Sequence, residues 1–232
     1  VRGLMAHAYG EGGTPRVNEI LRNAVRYFLF FGLVIGGVGV LWAEPGVNLL
    51  YGPRYEAVIP ALQVMVLVGG LTLSEGAFGA LLSTTDQQRL RAGTVGLSVV
   101  ITAVTAFALV PRYGLTGALW SVGISRFLTL FVTGVAIQRT LSTRFPYREI
   151  LRQLAAALIA ASVVASMLLL HHGPAMQLAG GVVYMAIFLA GTVWLKAWAR
   201  SDAESLLLLA ERKPAALGRI TPWLQRWAAS LP

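Results

Sequence analysis

The chain has 232 residues, 56% of them hydrophobic and only 12% charged, and its mean hydropathy is +0.67. Soluble globular domains carry about 25% charged residues, so this composition excludes an ordinary soluble domain and predicts an all-α, polytopic membrane protein. The lack of cysteine excludes disulfides and thiolate chemistry. The net charge of +9 is typical here of arginines that flank cytoplasmic helix ends and contact membrane lipids, and we expect no nucleic-acid partner.

Apolar blocks of about 20 residues, long enough for a helix to cross a hydrocarbon core, occur six times along the chain. The chain begins with Val1 and shows no signal-peptide pattern. We therefore expect a fragment in which 1–23 is a cytoplasmic segment leaving a preceding helix, 24–197 is a six-helix transmembrane lobe and 198–232 is a cytoplasmic, basic, amphipathic tail. The predicted spans are 24–43, 57–83, 89–110, 114–137, 151–170 and 175–197.

Each boundary has a local cause. Residues 44–46, Glu-Pro-Gly, are expected to end the first span, because proline removes a hydrogen-bond donor and glycine a side chain. Pro60 is tolerated in the first turn of the second span, and Asp86 is a plausible N-cap of the third. Tight turns are predicted at 111–114, between the third and fourth spans, and at 171–174, between the fifth and sixth.

The basic residues test this division, because cytoplasmic loops carry an excess of lysine and arginine. Arg54 and Arg112 alone lie in the loops on one side of the predicted membrane, and Arg126 lies inside a span. All the remaining basic residues fall in the N-terminal segment, the second and fourth loops or the tail. Both termini are therefore predicted to be cytoplasmic, in agreement with an even number of spans.

Two ionisable residues lie well inside the predicted spans: Glu75 in the second and Arg126 in the fourth. Charges inside a membrane are costly and usually face a cavity or a partner. In one hypothesis Arg126 faces a cavity and binds an anionic substrate group through its bidentate guanidinium, with Glu75 as counter-ion or ion-coupling site. In the other, the two residues form a buried pair that only holds two helices together. A wrong boundary or snorkelling would be a third explanation.

Two sets of glycines and the C-terminal tail can each be interpreted in two ways. Gly32, Gly36 and Gly39 of the first span, with a second set at 114, 117 and 123, suit close helix packing, with hinges as the alternative. In the tail, Trp223 and Trp227 lie four residues apart near Arg219 and Arg226, which predicts interfacial helices or else a partly disordered basic tail.

No pattern indicates an enzyme or a cofactor. The chain lacks a phosphate-binding loop with lysine, a Gly-x-Ser-x-Gly motif and a His-Glu-x-x-His motif. His171 and His172 stand together in a short loop, but a metal site needs more ligands than two adjacent histidines. We therefore expect no catalytic residue, no metal and no cofactor.

Three stretches resemble one family of transporters. "LLYGPRYEAVIPALQVM" (49–65) resembles the Leu-x-Gly-x-x-Tyr pattern that follows a helix in polysaccharide flippases of the MOP superfamily, which are MATE-like. "ALVPRYGLTGALWSVGIS" (108–125) resembles the turn between two later helices, and "MAHAYGEGGTPRVNEILRNAVRY" (5–27) resembles the stretch leaving the seventh helix. The resemblance extends over roughly residues 5 to 170 in consistent order.

This resemblance implies the C-terminal lobe of a flippase that moves lipid-linked oligosaccharides, of polyprenyl pyrophosphate type, across the bacterial inner membrane by alternating access. It implies a role in polysaccharide or lipopolysaccharide biosynthesis and a separate or missing N-terminal lobe as partner. Arg126 and Glu75 would be its substrate-binding or ion-coupling residues. The alternatives are a multidrug or small-molecule exporter of the same superfamily, and a non-transporting scaffold subunit that assembles polysaccharide enzymes.

Overall fold

The computed structural model describes residues 2–85, 87–141, 146–170, 173–198, 202, 226 and 228–229, with side chains from residue 18 onward except at 84 and 141. Within these ranges the chain is all-helical and contains no strand, which confirms the predicted class. Five helical stretches there are long and apolar enough to cross a membrane. The elements are α1 (Arg2–Tyr51), a 3-10 helix (Pro53–Val58), α2 (Ile59–Leu71), α3 (Glu75–Thr84), α4 (Gln88–Leu141), α5 (Tyr147–Leu170) and α6 (Pro174–Trp194).

The first helix does not end at residues 44–46, so that prediction is wrong. Although Pro45 removes one backbone donor, α1 continues through it to Tyr51. Contacts with α6 hold the turn just before the proline: the Trp42 Nε1 donates to the Leu178 carbonyl at 3.1 Å, and Gln177 donates to Glu44. A helix packed against neighbours tolerates proline in this way.

The second predicted span, 57–83, is also not one continuous helix. It consists of the 3-10 helix, α2 and α3, and the chain leaves helical geometry between Leu71 and Glu75. At the break the Thr72 hydroxyl donates to the Val68 carbonyl at 2.8 Å, and the Glu75 amide donates to the Thr72 carbonyl at 2.9 Å. Short polar side chains that compete for backbone hydrogen bonds weaken a helix at such points. Pro60 lies in the first turn of α2, as predicted.

Helix α4 consists of two arms that lie side by side. The chain reverses at Gly114, whose φ of 55° and ψ of −130° are accessible to glycine and strained for other residues. A Cβ atom at Gly117 would lie 2.3 Å from the Leu109 carbonyl oxygen, so only glycine permits the arms to approach so closely here. Ser125 of the second arm donates to the Ser98 carbonyl of the first at 2.8 Å. The predicted turn at 111–114 is confirmed.

Helix α1 lies at the centre and packs against α2 and α3 on one side and against α5 and α6 on the other. Between α1 and α2 the backbones nearly touch, since a Cβ atom at Gly32 would lie 1.9 Å from the Gly70 carbonyl oxygen. Between α1 and α6 the Phe30 and Phe188 rings stack at 5.3 Å between centroids. The close packing predicted for the first set of glycines is therefore confirmed at this contact.

Neighbouring segments run in opposite directions. Gly32 meets Gly70 while Gly39 meets Val66, so α1 and α2 are antiparallel. The same reasoning applies to α5 and α6, where Gly191 meets Ala156 and Gly180 meets Val164. With the reversal inside α4, the described chain alternates in direction from each apolar segment to the next.

Several predicted features fall outside the described residues. They are the Asp86 N-cap, the two histidines of the 171–174 turn, and the tail residues Arg219, Trp223 and Trp227.

Candidate functional site

The break between α2 and α3 places a carboxylate at the start of a helix. Glu75 is the first residue of α3, where the helix dipole favours negative charge. Its position is therefore set by the same interruption that the apolar pattern of 57–83 did not predict.

The structure brings the two predicted site residues together. The Arg126 Nη1 lies 3.1 Å from Oε1 and 2.9 Å from Oε2 of Glu75, so one nitrogen donates to both oxygens. The side chains are 48% and 37% exposed respectively. The two side chains therefore form an ion pair, which lies on an open surface of the chain and not in a closed core.

That surface is a groove between α2, α3 and the two arms of α4. Its volume is about 900 Å³, and both Glu75 and Arg126 line it. Most of its wall is apolar, including Val68, Phe78 and Val99. A pocket of this size, largely apolar with a few polar groups, suits an amphipathic ligand.

A row of hydroxyl groups crosses the floor of the groove where the two arms meet. Ser98 and Thr102 of the first arm lie against Ser125 of the second, at 3.3 Å and 2.7 Å between hydroxyl oxygens. Thr129, one turn further along the second arm, is 4% exposed, and its hydroxyl has no hydrogen-bond partner among the described residues. The groove therefore contains neutral polar groups beside its charges.

The groove contains a third charged residue, Arg91, which was not predicted as a site residue. Arg91 was counted among the basic residues of a loop, but it lies in the first turn of α4 and lines the groove. Its Nη1 donates to the Ser83 hydroxyl at 2.7 Å. A pattern in the sequence could have indicated it, because the polar residues at 91, 94, 98 and 102 recur at helical spacing and so share one face of the first arm.

A second ion pair, also missed, lies on the other side of α1. The Arg26 Nη2 is 2.6 Å from the Asp202 carboxylate, and the two side chains are 3% and 4% exposed. The Tyr27 hydroxyl donates to the same carboxylate. This buried cluster connects Asp202, which follows α6, to the middle of α1.

Among the described residues no group of three or more histidine, aspartate or glutamate side chains could hold a metal ion. Comparison of the chain with protein-family models, curated proteins and solved structures finds no match. The groove itself therefore carries the functional argument.

Proposed function

We propose that this chain is the C-terminal lobe of a flippase that moves lipid-linked oligosaccharides across the bacterial inner membrane by alternating access. The single observation that carries the proposal is the groove, in which an exposed Arg126–Glu75 pair lies among apolar helices. Charged side chains among membrane-spanning helices generally line a substrate or ion pathway. The chain would act as a transporter and not as an enzyme.

The shape and lining of the groove fit a substrate with an apolar chain, a phosphate group and a sugar. Its apolar wall would accept the lipid, its hydroxyl row the sugar, and its guanidinium groups the phosphate oxygens. Arg126 would contact the substrate anion when Glu75 releases it, or Glu75 would bind a coupling cation. A broken helix beside a polar site is a recurring feature of transporters.

The proposed topology has six spans with both termini in the cytoplasm. The two arms of α4 would each cross the membrane, which raises the five long helical stretches to six crossings. The contact between Arg26 and Asp202 supports an even count, because it brings the start of the first span and the segment after the last to one end of the bundle. The uneven distribution of basic residues supports the cytoplasmic side for that end.

The direct test is a flipping assay in vesicles with a fluorescent lipid-linked oligosaccharide. The chain is reconstituted together with any lobe that co-purifies with it. We expect flipping that Arg126→Leu abolishes and Arg126→Lys reduces, because lysine keeps the charge but cannot bind a phosphate through two parallel bonds. Arg139→Leu, at the exposed end of α4, is the matched control and should flip normally.

Three results would contradict the proposal. Normal flipping by Arg126→Leu at equal protein level would remove the groove residue from the mechanism. Absence of flipping, with and without a co-purified lobe, would favour the scaffold subunit. Export of a small cationic dye in place of the oligosaccharide would favour the exporter of the same superfamily.

A further inference from the structure

The groove is lined by two arginines, Arg91 and Arg126, and by one carboxylate, Glu75. The excess positive charge does not lie at Arg126. Glu75 already neutralises Arg126 with both carboxylate oxygens. Arg91 has no carboxylate within salt-bridge distance among the described residues, and its hydrogen bond goes to the neutral hydroxyl of Ser83. In the arrangement described here, the positive charge that is free to attract an anion is therefore that of Arg91.

The Thr129 hydroxyl, which has no hydrogen-bond partner among the described residues, lies towards the same end of the groove as Arg91. Ser98 and Ser125 face each other across the two antiparallel arms. Thr129 is four residues after Ser125, and Arg91 is seven residues before Ser98, so both lie on the same side of that contact. A helix rises about 1.5 Å per residue, so the backbone of Arg91 lies roughly 10 Å from that of Arg126 along the helix axes. Thr129 lies between these two residues.

We propose that Arg91 and Thr129 form an oxyanion site in the groove, distinct from the Arg126–Glu75 pair, and that it takes the phosphate group of an amphipathic molecule. The inference rests on the proposed function only in treating the groove as the substrate path. A phosphate oxygen accepts from the guanidinium and from the Thr129 hydroxyl, which then gains the partner it lacks. The apolar wall beside Arg91, including Val95 and Val99, contacts the attached hydrocarbon chain.

Binding is measured on the full chain in dodecyl maltoside micelles, which contain no phosphorus, by phosphorus NMR titration. One arm uses dodecyl phosphate and the other inorganic phosphate. We expect both to bind, dodecyl phosphate more tightly because its chain is removed from water along the apolar wall. Equal affinities would assign the oxyanion site to a free anion and overturn the lipid part of the proposal.

The variants separate this site from its surroundings. Arg91→Gln is expected to weaken dodecyl phosphate binding by about tenfold or more, and Thr129→Val by about threefold, since each removes one bond to a charged ligand. Arg89→Gln is the matched control: it removes the same charge from an exposed position two residues away that does not line the groove. Thr105→Val is the control for Thr129, because the Thr105 hydroxyl already donates to the Ile101 carbonyl.

Unchanged affinity in both Arg91→Gln and Thr129→Val would overturn the proposal. A loss confined to Arg126→Gln would instead place the anion at the ion pair. Arg91→Lys, which keeps the charge, is expected to retain part of the affinity and provides the measurement if the glutamine variant does not fold. The experiment measures binding, so it tests the oxyanion site independently of flipping. Phosphate binding without translocation would contradict only the proposed function.

Discussion

The helices on the two sides of α1 are similarly apolar but differ in how closely they pack. On the side of α5 and α6, stacked aromatic rings fill the contact, and 28% of the most apolar stretch of each helix is buried. On the side of α2 and α4 only 6% of the most apolar stretch of each is buried, and these helices leave an open groove between them. We call these the packed half and the groove half.

Among the residues that the structure describes, each half contains one arginine–carboxylate pair, and the two pairs differ most in exposure. The Arg26–Asp202 pair of the packed half is almost inaccessible, whereas about half of the Arg126 side chain and more than a third of Glu75 are exposed. Removing one partner of a buried pair leaves a charge that no solvent can stabilise, while exposed pairs contribute little to stability. The first pair therefore stabilises the fold, whereas the second contributes little to stability and remains accessible.

The largest expected effect would come from breaking the pair in the packed half. Arg26→Leu removes the Arg26 guanidinium from the buried Asp202 carboxylate and is expected to lower the free energy of unfolding by about 3–5 kcal/mol. Reversible unfolding in detergent micelles measures the change. Arg139→Leu, an exposed arginine at the end of α4, is the control and should unfold like the original chain. An equal loss in both variants would show that overall charge, not the buried contact, matters.

A smaller effect is expected at the contact that joins the two halves. Gly32→Ala places a methyl group against the Gly70 carbonyl and should cost about 1–3 kcal/mol through overpacking. Gly96→Ala is the matched change, since nothing lies within 4 Å of that Cβ position, and it should be neutral or stabilise by up to about 1 kcal/mol. Thermal unfolding of both variants measures the difference. If Gly32→Ala matched Gly96→Ala, the backbones of α1 and α2 would not be in contact.

The smallest effect on stability is expected in the groove half. The double variant Glu75→Gln, Arg126→Gln removes the exposed pair without changing the net charge, and the free energy of unfolding should change by less than about 1 kcal/mol. The same unfolding experiment measures it beside Arg26→Leu. A loss as large as that of Arg26→Leu would mean that the groove pair only holds α3 against α4, which would erase the distinction between the two halves.

Much of the architecture could be predicted from local pattern. The apolar blocks, the turn at 111–114 and the position of Pro60 in the first turn of α2 follow from composition and backbone preference, which act over a few residues. The end of α1 could not be predicted in this way, because contacts of Trp42 and Glu44 with α6 keep the helix intact through Pro45. The break before Glu75 was missed because residues 71–74 are as apolar or neutral as their surroundings.

The helical class and the two unusual charges could be predicted from the amino-acid sequence, because long apolar blocks and a charge among apolar residues are visible without a structure. The folded chain was needed to show that Glu75 and Arg126 meet, that Arg91 lines the same groove, and that Arg26 is buried against Asp202. Helix packing brings these pairs together across 51 and 176 positions of the chain, and no local pattern encodes such contacts. Charge balance in the groove is likewise a property of the assembled helices.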